Sequence, residues 1–317
     1  MEYRRIGRSG LEISLVGIGC NNFGRRCDLD QTKIVVNKAI DLGINFFDTA
    51  DIYGGDGKSE EFLGKAIGEN RHSTIIATKF AGNMGSGPME SGASRKHIMD
   101  AVEASLRRLG TDYIDLYQVH FPDLLTPLEE TISTLDDLVR AGKVRYIGHS
   151  NFAGWQIAHA HWIAEHHHLT PFISAQNHWS LLERKVEHEV IPSANAFGLG
   201  VLPYFPLASG LLTGKYKRNE PAPNGTRLIS GPMADKVLTD NNFDIVESLE
   251  SFAQENGHSI LELAFSWLAS NTNVSSVIAG ATRSEQVESN VQAVNWELTA
   301  DEMAKIELYV NSIIQKK

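Results

Sequence analysis

The sequence predicts an α/β protein, a (β/α)8 TIM barrel with an N-terminal β-hairpin and extra helices after strands 7 and 8. Three observations carry the prediction. Short β-branched or aromatic runs alternate with longer segments of helical spacing about eight times. A length of 317 residues suits eight such units. No linker, low-complexity tract or internal repeat divides the chain, so residues 1–317 read as one domain.

Taken in order, residues 3–7 and 11–14, joined by Arg8-Ser9-Gly10, form a predicted hairpin that plugs the barrel's N-terminal end. Barrel strands follow at residues 14–18, 44–48, 74–80, 113–120, 144–148, 172–176, 200–204 and 275–279. Helical spacing fills 30–42, 59–67, 94–108, 129–140, 154–167, 185–196, 260–270 and 284–293. Ser94 and Gly110 punctuate the third of these as N-cap and closing glycine. Residues 208–240, rich in Gly, Pro, Asn and Lys, are too long for an ordinary connection after the seventh strand, and long loops at that end of a barrel carry function. Residues 295–317 are mostly helical in pattern.

Composition removes several classes. Hydrophobic residues at 42% and charged residues at 21% fit a globular chain with a sizeable core, not a disordered one. A net charge of −10 argues against nucleic acid or anionic lipid as partner, while leaving room for a local basic site. No run reaches the roughly 18 apolar residues of a membrane helix, and MEYRRIGRSG lacks the apolar stretch of a secretory signal, so a cytoplasmic location is expected. Cys20 and Cys27, the only cysteines, support neither a disulfide framework nor a zinc site.

Barrels build their sites at the C-terminal ends of the strands. The second strand runs into Phe46-Phe47-Asp48-Thr49-Ala50-Asp51-Ile52-Tyr53, the third ends in Ala77-Thr78-Lys79 and the fourth in Tyr117-Gln118-Val119-His120. Asp48, Tyr53, Lys79 and His120 therefore meet at one mouth. Each alone has a bland reading: a turn cap for Asp48, a solvated strand end for Lys79, a loop histidine for His120. Together they make chemistry. An ammonium beside a tyrosine stabilises the phenolate and lowers its pKa, a carboxylate balances the ammonium, and a histidine can hydrogen-bond a carbonyl. The set fits protonation of a carbonyl coupled to hydride delivery from a nicotinamide.

FDTADIYG, ATK and YQVH, in that order, resemble the aldo-keto reductase superfamily over nearly the whole chain. The resemblance implies an NADPH-dependent reductase of aldehydes or ketones. Tyr53 would be its general acid, Lys79 and Asp48 would tune it, and His120 would orient the carbonyl. LASGLLTGKY at residues 207–216 and GATRSEQ at 280–286 look most like bacterial reductases and potassium-channel β subunits.

A Rossmann fingerprint is absent, since GIGCNNFG at residues 17–24 has the wrong spacing and opens no immediate helix. The resemblance instead assigns NADP(H) to four later segments. Ser150, Asn151 and Gln176 would meet the nicotinamide carboxamide, and Tyr204 would stack on the ring, a buried core tyrosine being the alternative. Phe205, Pro206, Leu207, Ala208, Ser209 and Gly210 would run along the pyrophosphate with Lys215, and Arg227 would close over the cofactor. Gly280 opens the segment at the eighth strand end, where a helix N-terminus suits phosphate. Thr282 and Arg283 would take the 2′-phosphate, and Gln286 and Asn290 the adenine side. Ser289 departs from the glutamate common in close relatives, which puts one ribose or adenine contact in doubt.

Phe23, Ile52, Phe80, Phe121 and Trp179 follow strands at the same mouth and predict an apolar substrate pocket. With no long C-terminal loop expected, the pocket should be open to several carbonyl compounds. Residues 83–93, with four glycines, read either as a mobile flap or as a plain flexible connection. His159, His161 and the run His166-His167-His168 lie on or at the end of the fifth helix, away from the strand ends, and an adjacent triple points three ways, so no metal is assigned. Two functions from different classes follow: a small-molecule carbonyl reductase, or an NADP(H)-binding regulatory subunit with little turnover. The absence of an added N-terminal segment favours the free-standing enzyme, and the oligomeric state stays open.

Overall fold

The computed structural model describes residues 1–314. Strands β1 (Tyr3–Arg5) and β2 (Glu12–Ser14) pair antiparallel as the hairpin. Eight parallel strands follow: β3 (Val16–Gly19), β4 (Phe46–Asp48), β5 (Ile75–Phe80), β6 (Ile114–Val119), β7 (Val144–Ser150), β8 (Ser174–Gln176), β9 (Gly200–Val201) and β10 (Val277–Ala279). They pair in the order β10-β3-β4-β5-β6-β7-β8-β9. Single bridges from Val201 to Val274 and from Tyr204 to Ile278 join the two ends, which closes the barrel. Sequence alternation predicts strand 7 over 200–204, but regular pairing stops at Val201. Pro203 lacks the N–H a ladder needs, and its carbonyl accepts from Ile278 N at 3.2 Å instead.

Helices α1 (Leu29–Asp41), α2 (Lys58–Ile67), α3 (Arg95–Leu109), α4 (Leu128–Arg140), α5 (Gly154–His166) and α6 (Val190–Phe197) cover the first six strands. The expected helix at 185–196 is split, with a 3-10 turn at Lys185–Glu187 ahead of α6. Ser94 caps α3 by accepting from His97 N, and Gly110 closes it at φ 65°, as its glycine allows. After the seventh barrel strand come a 3-10 segment (Ala208–Thr213), α7 (Pro232–Val237), α8 (Asp240–Glu255) and α9 (Ile260–Ala269). α10 (Ser284–Gln292) and α11 (Ala300–Ile314) follow the eighth. The extra helices stand where the sequence places them, although α8 has no counterpart among the ranges read from periodicity.

The hairpin covers the end of the barrel where the strands begin. Arg4 donates to Ala269 O and Val274 O at 2.8 and 3.1 Å, and Arg8 N donates to Gly198 O at 3.0 Å. Gly7 sits at φ 55°, and a Cβ there would lie 2.3 Å from Gly198 O, so only glycine fits. Ile6 and Ile13 join Phe46, Ala77, Leu116, Leu202 and Ile278 in an apolar layer inside the barrel. The outward residues of the same strands, Phe47, Ile76 and Tyr117 among them, pack under the helices in the larger core. Period-2 alternation then fixes the next inward layer. Two residues beyond Phe46, Ala77 and Leu116 stand Asp48, Lys79 and Gln118, all buried.

His149 on β7 is fully buried between Phe152 and Phe172, with ring centres at 4.5 and 5.3 Å, and neither ring nitrogen has a partner. Burial pushes its pKa down to about 3. Between that value and the unfolded one near 6.5 the unfolded chain binds the extra proton, so stability falls as pH drops through this window. His149→Leu should therefore lose on the order of 2 kcal/mol less than wild type between pH 7.5 and pH 5. Urea unfolding at the two pH values measures it, and parallel losses would refute it.

Candidate active site

Lys79 is the centre of the buried polar layer. Its ammonium, wholly shielded from solvent, donates to Asp48 Oδ2 at 2.6 Å and to Thr49 O at 2.9 Å. Gln176 and Gln118 donate to the other carboxylate oxygen at 2.8 and 3.3 Å. Every bond a buried ion pair needs to persist is thus present. Burial by itself would lower the Lys79 pKa, but the Asp48 charge and the neighbouring tyrosine outweigh it and leave it raised.

Tyr53 lies in the turn after β4, with the Lys79 ammonium 5.0 Å from its ring centre. Its pKa corrects the sequence expectation. Burial raises it, the Lys79 charge only partly opposes this, and the net direction is upward. Tyr53 therefore holds its proton at neutral pH. His120, just past β6, stands edge-on to Tyr53 at 5.6 Å between ring centres and stacks on Phe121 at 4.2 Å. Burial, with the Lys79 charge behind it, drives its pKa down to about 2, so the ring is neutral. Its Nδ1 is buried without a partner, which leaves Nε2 to meet the cavity.

That cavity holds about 810 Å³ and runs from Asp48, Tyr53 and His120 past Ser150, Asn151, Gln176 and Tyr204 to Arg283 and Asn290. Ser150 Oγ donates to Gln176 O at 2.8 Å. Asn151, at φ 61°, donates to His120 O at 2.9 Å and accepts from Tyr204 OH at 2.8 Å, so it clamps two strand ends and fixes the Tyr204 ring. Phe205, Pro206, Leu207, Ser209, Gly210, Lys215, Arg227, Gly280, Thr282 and Gln286 also line the wall, whereas Ala208 is buried behind it. Phe205, Ala208 and Ser209 all have positive φ, 52°, 46° and 58°, ahead of Gly210 at 101°. Three non-glycine residues held in the left-handed region within one short loop point to a backbone shaped for a ligand.

Four cations, Arg26, Lys215, Arg227 and Arg283, line this cavity, against the single carboxylate of Asp48, which Lys79 already balances. In a chain of net charge −10 that is a concentrated basic site. Burial, then crowding by Arg26 and its neighbours, lowers the pKa of Arg227, and burial likewise lowers that of Lys215. The wall is thus fitted to a ligand carrying several negative charges, and a phosphorylated dinucleotide meets that requirement.

Strand-end reading finds most of these residues but misses Asn21, Asn22 and Arg26, which follow the first barrel strand and also line the cavity. The same rule applied to that strand finds them. Arg227 reaches Asn21 and Asn22 at 3.4 Å, and Arg26 donates to Gly225 O, so the two walls touch. Among the predicted substrate residues Ile52 and Phe121 line the cavity, but Phe23, Phe80 and Trp179 are buried in the core. Since neighbours on a strand face opposite ways, Lys79 pointing inward turns Phe80 outward onto Tyr117 at 4.8 Å, and Trp179 packs on Trp267 at 5.6 Å. Residues 83–93 do not line the cavity, and at their end Ala93 N donates to Asp123 Oδ2 at 2.8 Å.

No helix among the described residues is long and apolar enough to cross a membrane. The chain is 39% identical over 98% of its length, and 97% of the relative's, to a probable voltage-gated potassium channel subunit beta of Oryza sativa subsp. japonica. It is 35% identical over 98% of its length and 92% of the relative's to the L-glyceraldehyde 3-phosphate reductase of Escherichia coli K12. With an oxidoreductase of Bacillus subtilis named YrpG it shares 37% over 93% of its length and 91% of the relative's. Residues 15–310 match the Aldo/keto reductase family, and the chain belongs to that family.

Proposed function

We propose that the protein reduces aldehydes or ketones to alcohols with NADPH, with Tyr53 as general acid. The observation that carries this reading is one cavity joining a protonated tyrosine and a neutral histidine at one end to four cations at the other. A bound nicotinamide supplies the hydride for the carbonyl carbon. Tyr53 holds its proton toward the carbonyl oxygen, and His120 Nε2 offers a second hydrogen bond that fixes the carbonyl's orientation. Lys79 supports the negative charge left on Tyr53 once that proton is given up, and Asp48 with its two glutamines keeps the ammonium in place. Ser150, Asn151, Gln176 and Tyr204 would hold the nicotinamide end. The 205–210 loop with Lys215 and Arg227 would hold the pyrophosphate, and Thr282, Arg283, Gln286 and Asn290 the phosphorylated adenosine.

Steady-state oxidation of NADPH with a panel of aldehydes tests this directly, with one alcohol expected per NADPH consumed. A second reading, a regulatory subunit, is favoured by the name of the rice relative. Tight NADP(H) binding without turnover of any carbonyl compound would select it.

Cofactor choice should rest on Arg283. Its side chain makes no hydrogen bond or ion pair with the described residues, and it stands as the residue before α10. Thr282 is already engaged with Gln286 Oε1, at 2.8 Å from its N–H and 3.2 Å from its hydroxyl. Arg283 is thus the free forked cation at the place assigned to the 2′-phosphate. Arg283→Ala should weaken NADPH binding about 10- to 150-fold and leave NADH binding nearly unchanged. Calorimetric titration of both cofactors checks it; equal losses would assign Arg283 to the fold or the pyrophosphate.

A further inference from the structure

Helix α5 buries one side and sets aromatic rings on the other, where Glu165, paired with His161 at 3.7 Å, flanks them. Its inner face, with Gln156, Ile157, Ala160, Ile163 and Ala164, is buried. Its outer face carries Trp155, His159, Trp162 and His166, all exposed, the two indoles at 60% and 56%. Steps of four, three and four residues keep these side chains on one stripe. The neighbouring α4, by contrast, turns Glu129, Glu130 and Arg140 to solvent. None of the four stripe residues lines the catalytic cavity. Two large indoles left in water on an aromatic stripe are the composition of a contact surface.

The order of the stripe says what covers it. Positions 155 and 166, and positions 159 and 162, are equidistant from one midpoint between residues 160 and 161. Two copies of α5 laid antiparallel about a two-fold axis through that midpoint set Trp155 against the second copy's His166. The same operation sets Trp162 against the second copy's His159. Each indole thus meets an imidazole, in four contacts, and a two-fold interface demands this kind of self-complementarity. Stacking of the two ring types already occurs within the chain, where Trp162 and His166 lie 4.9 Å apart and 7° from parallel.

We propose that this stripe is the centre of a two-fold homodimer in which α5 packs antiparallel on α5 of a second copy. Thirteen residues give a helix roughly 20 Å long, so the stripe supplies the central hot spot and the flanks of adjoining helices supply the rim. The pairing leaves the barrel mouth free.

Sedimentation equilibrium tests it over about 1–100 μM chain. Wild type should sediment at an even multiple of the chain mass, and Trp155→Ala with Trp162→Ala should halve that mass, raising the dissociation constant by a factor on the order of 10² or more. Both residues are exposed and off the cavity wall, so the double variant should keep its far-ultraviolet circular dichroism and its NADPH affinity, with its melting midpoint lowered only to that of wild type diluted below its dissociation constant. His159→Glu with His166→Glu keeps both indoles but sets a carboxylate on each partner ring, and should dissociate the dimer as well. A monomeric wild type throughout this range, or an assembly that either double variant leaves intact, would overturn the proposal.

Discussion

Tyr53→Phe is expected to bind NADPH as wild type does and to turn over aldehydes slower by a factor on the order of 10² or more, the usual scale for a lost general acid. The substitution removes one oxygen and keeps the ring that stands edge-on to His120 at 5.6 Å and 5.0 Å from the Lys79 ammonium. Nothing in the cationic end of the cavity touches that oxygen, so cofactor affinity serves as an internal control. Single-turnover rates with bound NADPH separate the chemical step from product release. Turnover retained in this variant would remove Tyr53 from the role of proton donor.

Lys79→Met should lose activity on the same scale and should also lose stability, for a reason the tyrosine does not share. Asp48 would keep only the amides of Gln118 and Gln176 while staying buried. Deleting one partner of a buried ion pair costs about 3–5 kcal/mol, because the other charge is left uncompensated. The loss of rate follows from the other side of the ammonium. Burial already raises the Tyr53 pKa, and Lys79 is the chief group opposing it. Without that charge the proton is held more tightly and the phenolate left behind is unsupported. Urea unfolding and turnover, the latter taken where the variant is folded, measure the two effects. A variant with wild-type rate, or with wild-type stability, would contradict the corresponding half.

Much of the fold is legible because its signals are local. Alternation with period 2 marks strands of a few residues, and helical spacing with caps such as Ser94 and Gly110 marks the helices between them. Asp48 and Lys79 are legible for the same reason, since each stands near the end of a strand whose inward face is set two residues earlier by Phe46 and Ala77. Nearness to a strand end puts Phe80 and Trp179 at the mouth only if facing is ignored; one residue of alternation turns Phe80 into the core, and Trp179 is buried with it. Arg26 is within reach of the strand-end rule, but its contact with Gly225, 199 residues further along, exists only in the closed barrel.

Local signals specify the number and order of the barrel strands, the hairpin before them and the groups at their ends, because each of these is written within a few residues. The sign of the Tyr53 shift, the neutrality of His120 and the membership of the cavity wall emerge only once the barrel is closed and packed. Those properties depend on how much water the whole fold excludes and on which distant charges it brings near: at Tyr53 burial outweighs the Lys79 charge, and at His120 burial and that charge act together.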